Sequence, residues 1–167
     1  MATAYLSLGS NIEPEHYLRA AILALRQHFA TVELSPVYRC RAVGFDGADF
    51  LNAAARIETS LGPHELDDWL HALEDAHARD RSGPRFSSRT LDVDLLLYDD
   101  LVLDGPGRLK LPRADLVTQA FVLKPMLDLA PELIHPTRGI SLRALSADLA
   151  APGDLQKVSL DGISANA

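Results

Sequence analysis

Asp92 and Asp94 are the residues whose type and spacing first suggest chemistry, in the run Arg89-Thr90-Leu91-Asp92-Val93-Asp94-Leu95-Leu96-Leu97-Tyr98. The alternation is that of a β-strand, with Leu91, Val93, Leu95 and Leu97 on one face and both aspartates on the other. Residues two apart on a strand lie about 6.5–7 Å apart, so the two carboxylates look out at one region of space. Like charges held that close repel unless a cation or a shared proton sits between them. The pair is therefore either a solvated polar face or a seat for a hard divalent cation, which prefers oxygen ligands.

Just upstream, Arg79, Arg81, Arg85 and Arg89 put four arginines within eleven residues, across a Gly83-Pro84 break. A cationic loop running into paired aspartates reads in two ways. One is a salt-bridge network. The other is a polyphosphate site, in which Mg²⁺ rests on the carboxylates and planar guanidinium groups grip phosphate oxygens. Phosphoryl transfer asks for little beyond positioning and charge neutralisation, so those parts suffice in principle. Asn52 is a further candidate, because its amide can read the donor and acceptor edge of a heterocycle; bonding to neighbouring backbone is the plainer reading.

These residues need elements to hold them. Ala2–Leu8 reads as a strand that stops at Gly9-Ser10-Asn11. A helix follows, with Pro14 in its first turn and Leu18, Ala21, Ile22, Leu25 and Phe29 as its apolar stripe. Thr31–Arg39 predicts a second strand and residues 41–48 a loop. Asp49–Thr59 predicts a third strand, with Phe50, Asn52, Ala54, Arg56 and Glu58 sharing one side. Pro63 opens a second helix striped by Leu66, Trp69, Leu70, Leu73 and His77. After the aspartate strand, Leu101–Leu103 and Arg108–Leu111 read as short strands, the second with Arg108 and Lys110 on one side. Residues 121–129 are ambiguous between helix and strand because of Pro125 and Pro131. Ser141–Leu149 reads as a short helix and the tail from Ala150 as irregular. The order β-α-β-β-α-β up to Tyr98 predicts an α+β, ferredoxin-like core: an antiparallel sheet with helices on one face, followed by a C-terminal strand/helix extension. Residues 1–167 are expected to form one domain.

Hydrophobic residues make up 47% of the 167 and charged residues 23%, an ordinary globular composition. The net charge of -7 argues against nucleic acid or an anionic membrane as partner. Any anion site must then be built from locally gathered cations. The lone Cys40 leaves no intramolecular disulfide and no cysteine-based zinc site, which fits a reducing compartment. No leader pattern or long apolar run is evident, so the expectation is a cytoplasmic protein, working as a monomer on small molecules.

Taken together, Ala4-Tyr5-Leu6-Ser7-Leu8-Gly9-Ser10-Asn11, Phe50-Leu51-Asn52-Ala53-Ala54, Glu74 and Arg89-Thr90-Leu91-Asp92-Val93-Asp94 resemble the 6-hydroxymethyl-7,8-dihydropterin pyrophosphokinase family of folate biosynthesis. The resemblance runs to about Pro131-Glu132-Leu133 and implies transfer of a diphosphate from ATP to the pterin hydroxymethyl group, with release of AMP. It implies two Mg²⁺ ions on Asp92 and Asp94, with Arg79 and Arg89 as the chief phosphate-gripping arginines. Cys40, Arg41, Val43, Phe50, Asn52 and Phe121 match pterin-pocket positions, Phe50 and Phe121 as aromatic walls. His71, Glu74, Arg81, Leu95, Arg108 and Lys110 match positions that border the nucleotide, and Arg113 stands close by. No side-chain nucleophile stands out, so the expected chemistry is direct in-line attack of the pterin hydroxyl on the β-phosphorus. The loops at 41–48 and 79–88 are expected to close over the substrates and exclude water.

The chain departs from the family pattern at three places. Phe86-Ser87-Ser88 stands where the family usually presents a tryptophan and a Gly-Pro, which reduces stacking area and removes an indole donor. Arg113-Ala114 replaces a His-Tyr, and Gln119 replaces an arginine, a lost phosphate contact that Arg113 can offset. These departures leave a second reading open: a divergent paralogue that binds pterin or nucleotide without turnover, or one that acts on a different reduced pterin.

Overall fold

The computed structural model describes residues 1–42, 46–77, 90–147, 149 and 155–160. Val43, Arg79, Arg81 and Arg89, with the Phe86-Ser87-Ser88 stretch, lie outside the described residues, as do most of the two loops expected to close.

The chain runs β1 (Ala2–Ser10), α1 (Pro14–His28), β2 (Val32–Leu34), β3 (Val37–Cys40), β4 (Phe50–Thr59), α2 (Pro63–Ala76) and β5 (Asp92–Tyr98). There follow β6 (Leu103–Asp104), β7 (Lys110–Leu111), α3 (Asp115–Thr118), α4 (Ala120–Leu129), α5 (Leu142–Ser146) and β8 (Gln156–Val158). The main sheet is ordered β5-β1-β4-β3-β8, with β2 also on β4, and β6 pairs only with β7. Every pairing is antiparallel. The α+β, ferredoxin-like plan thus holds, with β1 between β4 and the aspartate strand.

One face of the sheet is apolar because alternate residues make it so. Leu6 and Leu8 of β1, Leu51, Ala53, Ala55 and Ile57 of β4, and Val93 and Leu95 of β5 pack against Leu18, Ile22 and Leu25 of α1 and Leu66 and Leu70 of α2. All are nearly or fully buried. Truncating one such leucine to alanine typically costs about 2–5 kcal/mol. Pro14 sits in the first turn of α1, and the Glu65 carboxylate accepts the Gly62 amide hydrogen at 3.2 Å to finish the start of α2.

The other face carries an addition to the expected single helical layer. Residues 120–129 resolve as helix despite Pro125, and α4 with α5 buries Val122, Leu123, Met126, Leu142 and Leu145 against Ala54, Leu96 and Leu97. The apolar run of α4 could not stay in water, and the far end of this face offered it cover. Asn52, Asp92 and Asp94 lie on this same face by their place in β4 and β5.

Three local expectations are corrected. The stretch 31–39 is two strands, because Pro36 lacks an amide hydrogen to continue the ladder. Ser35 bridges the break, its amide donating to the Ala54 carbonyl at 2.9 Å and its hydroxyl accepting from the Ala54 amide at 2.8 Å. Strand β5 does not alternate to its end: Tyr5 faces Leu97 and Leu6 faces Leu95, so Leu96 is an extra, bulged residue. The bulge turns Leu97 onto the α4 side, away from Val93 and Leu95. The tail is not wholly irregular, since β8 adds an outer strand to β3.

Candidate active site

Asp92 and Asp94 project from β5 on the sheet face opposite α1 and α2. On β1, Gly9 stands across from Asp92 and Ser7 across from Asp94. On its other side Gly9 stands across from Asn52 of β4. Directly opposed residues of antiparallel strands point to the same face, so one rung runs Asn52–Gly9–Asp92. Gly9 keeps this rung open. A Cβ there would lie 3.0 Å from the Asn52 amide oxygen, a tight contact that would make the amide give way by a few tenths of an ångström.

The third member of the acidic group comes from the helical layer. Glu74 is 2% exposed near the end of α2. Its Oε2 accepts the Val93 amide hydrogen at 2.7 Å, satisfying a donor on the free edge of β5. Glu74, Asp92 and Asp94 each offer an oxygen within 4.8 Å of the others, and they are a group of this kind among the described residues. Three hard oxygen donors at that spacing fit Mg²⁺, which binds oxygen at about 2.0–2.1 Å in an octahedron and keeps several waters. Glu74, expected only at the border of the nucleotide, thus stands with Asp92 and Asp94 in one acidic group.

Arg113 answers this negative charge. Its Nη2 lies 3.5 Å from Asp94 and its Nε 3.5 Å from Asp115, ion-pair distances that leave the buried Nε without a hydrogen bond. Burial alone would lower its pKa, but Asp94, Asp115 and Asp92 outweigh that and raise it. Asp115 escaped notice in the sequence, although its place two residues after Arg113 was a usable signal.

The other end of the face is built on β3 and β4. Asn52, 3% exposed, donates from Nδ2 to the Cys40 Sγ at 3.0 Å, and Phe50 precedes it on the strand opposite Cys40. Arg41 follows at the surface, and Phe121 lies half-buried in the first turn of α4, packed against the second core. Beneath, Tyr38 donates to the Asp128 carboxylate of α4, tying that helix to β3. Burial, with that bond and the Asp128 charge, raises the tyrosine pKa. Sequence spacing gave no hint of the Tyr38–Asp128 contact, which spans ninety residues.

The residues expected around the nucleotide divide. Arg108 reaches α2, with Nε 3.3 Å from Asp67 and Nη2 3.5 Å from Asp68. His71 donates from Nδ1 to the Asp67 carbonyl at 2.8 Å, so it shares that corner. Lys110 pairs across the hairpin with Asp104 at 3.7 Å, a different partner from those of Arg108. Leu95 is a correction of another kind. At 1% exposure it belongs to the core under the helices, and its side chain offers no surface to a ligand.

Known proteins agree with this reading. The sequence model of the 7,8-dihydro-6-hydroxymethylpterin-pyrophosphokinase (HPPK) family matches residues 5–131. A 2-amino-4-hydroxy-6-hydroxymethyldihydropteridine pyrophosphokinase of Haemophilus influenzae is 38% identical over 144 residues, covering 84% of this chain and 89% of the relative. Its namesake in Pseudomonas aeruginosa is 41% identical over 136 residues, covering 79% of this chain and 83% of the relative. Among solved structures, the wild-type HPPK-DHPS of Plasmodium falciparum superposes with a TM-score of 0.71 at 11% identity. That match covers 88% of this chain and 44% of the larger one, and it speaks to the fold alone. On the match to residues 5–131 and these identities, the chain belongs to the 7,8-dihydro-6-hydroxymethylpterin-pyrophosphokinase family.

Proposed function

We propose that this protein transfers the terminal diphosphate of ATP to the hydroxymethyl oxygen of 6-hydroxymethyl-7,8-dihydropterin and releases AMP, a step of folate biosynthesis. The observation that carries the reading is the shared rung. An acidic group suited to Mg²⁺ and an amide suited to a heterocycle's edge lie on one sheet face, with Gly9 between them on the rung.

Asp92, Asp94 and Glu74 would hold magnesium, two ions in our reading, which when bound neutralises triphosphate charge beside the attacking hydroxyl. Asn52 and Cys40 fix the orientation of the pterin, with Phe50, Phe121, Arg41 and Val43 as its walls. Arg113, held on Asp94 and Asp115, supplies positive charge near the phosphates, while Arg108 and His71 flank the nucleotide. Arg79, Arg81 and Arg89 complete the phosphate grip. The hydroxyl oxygen attacks the β-phosphorus in line, the bond from that phosphorus to the α–β bridging oxygen breaks, and AMP departs. The pterin hydroxyl proton passes to solvent, since no side chain here is assigned as a base.

Residues 1–167 act as one domain in this proposal, as a monomer in the cytoplasm, without nucleic-acid or membrane partners. The acidic balance supports the last point, and no helix among the described residues is long and apolar enough to cross a membrane. Binding without turnover gains nothing from the relatives, which bear the names of pyrophosphokinases.

The test is AMP formation from ATP by the purified protein, dependent on both Mg²⁺ and the hydroxymethyl pterin. Absence of AMP at generous enzyme concentration overturns the assignment. AMP formed only with another reduced pterin moves it to that substrate.

A further inference from the structure

A cavity of about 290 Å³, with Arg113 in its lining, opens between the β6–β7 hairpin and the turn at residues 135–138. Its floor is apolar, with Leu103, Leu111 and Val117 among its residues, while Lys110, Arg113 and Arg138 also line it. In a protein of net charge -7, three cations around one small apolar cavity call for an explanation. Asp104 is the acid beside them, and it already faces Lys110 at 3.7 Å.

His135 supplies the second observation. It is 3% exposed and lines the cavity. Its Nδ1 accepts the backbone amides of Thr137 at 3.3 Å and Arg138 at 3.2 Å, with the Thr137 hydroxyl also at 3.3 Å. A nitrogen that accepts two backbone N–H groups carries no proton, so the proton of the neutral ring sits on Nε2. Burial, and then the Arg138 charge, lower the pKa and favour that neutral form. With Nδ1 committed to the turn, the neutral ring keeps its N–H donor on Nε2, and the ring lines the cavity. The same turn presents Arg138, which makes no ion pair among the described residues.

We propose that this cavity is a binding site for a small organic anion, with its apolar body on the Leu103–Leu111–Val117 floor and its carboxylate or phosphate on the His135 Nε2–H and Arg138. A bare inorganic ion would leave the floor unfilled, and a neutral molecule would leave the charge of Arg138 unmatched, Lys110 and Arg113 being already paired with carboxylates. Arg113 belongs to both places, lining the cavity while its Nη2 is on Asp94.

The experiment uses the full chain without ATP or Mg²⁺, labelled so that the His135 ring signals are followed by NMR. Phenyl phosphate, benzoate, benzyl alcohol and inorganic phosphate are titrated in turn. Phenyl phosphate or benzoate should move the His135 signals saturably, with benzyl alcohol and inorganic phosphate each about tenfold weaker or worse. Arg138→Gln, at an exposed position whose side chain holds nothing in place, should fold normally and weaken the aryl anion by about tenfold. The proposal is overturned if neither aryl anion moves His135 saturably, if benzyl alcohol or inorganic phosphate binds as well, or if Arg138→Gln binds unchanged.

Discussion

The Glu74 carboxylate accepts the backbone amide of Val93 at 2.7 Å, and Val93 is the residue between Asp92 and Asp94. One side chain of α2 therefore holds the peptide on which both aspartates are hung, while adding its own charge to theirs. Glu74→Gln keeps an acceptor for Val93 and loses only the charge. It should unfold in urea close to the parent and need a higher Mg²⁺ concentration for half-maximal AMP release. Glu74→Ala removes the acceptor too and should lose about 1–3 kcal/mol of stability in the same urea titration. Equal stability of the two variants would show that the hydrogen bond is idle.

Asp94→Asn should lower turnover by at least about a hundredfold, because the phosphates would meet the acceptor with less of their charge neutralised. Saturating Mg²⁺ should not restore the rate, measured as AMP released per enzyme. A variant with near-parental turnover would remove Asp94 from the metal-binding role.

Gly9→Ala tests the rung directly. The new methyl would meet the Asn52 amide oxygen at 3.0 Å, and the amide is already tied to Cys40. The expected result is a KM for the pterin raised by about tenfold, roughly one misplaced hydrogen bond, with the KM for ATP much less affected. Steady-state kinetics with each substrate varied separately provide the check, and an unchanged pterin KM would detach Asn52 from the ring.

His135 predicts a pH dependence of stability. Its pKa in the fold is held below the ordinary 6.5, by burial first and then by Arg138. The unfolded chain takes up a proton near 6.5 that the folded chain refuses. Its contribution is therefore complete above that pH and is lost as the solution is acidified toward the folded-state pKa. Urea unfolding at pH 7.5, 6.5 and 5.5 should show a steeper acid loss in the parent than in His135→Gln. Parallel losses would mean that the ring titrates alike in both states.

Much of this was legible in the sequence, for reasons that particular residues make plain. Asp92 and Asp94 were readable because alternation assigns them a face whatever the strand pairs with. Asn52 was readable on the same ground, as were the two helices from their stripes and from Pro14 and Pro63. Glu74 was visible as a residue, but joining it to the aspartates required knowing that α2 lies along the free edge of β5. The bulge at Leu96 is a property of two strands together, so Leu97 alone could not announce its change of side. Lys110 and Arg108 looked alike by parity, and the partners that separate them, Asp104 and Asp67, lie in different elements. Leu95 was matched to a ligand position by place in a motif, which says nothing of how deep a side chain sits.

The rung Asn52–Gly9–Asp92 has one more consequence: the protein measures its acceptor with its backbone. Asn52 and Asp92 are separated by two interstrand spacings, about 9.5 Å, and no rotamer change can alter that span. A molecule anchored by its ring at Asn52 must carry an oxygen on an arm of the right length to arrive where the carboxylates gather phosphate. An error of about 1 Å in such a reach costs on the order of a hundredfold in rate. Selection for arm length is thus written into the hydrogen-bond register of three strands and does not depend on the side chains that line the pocket.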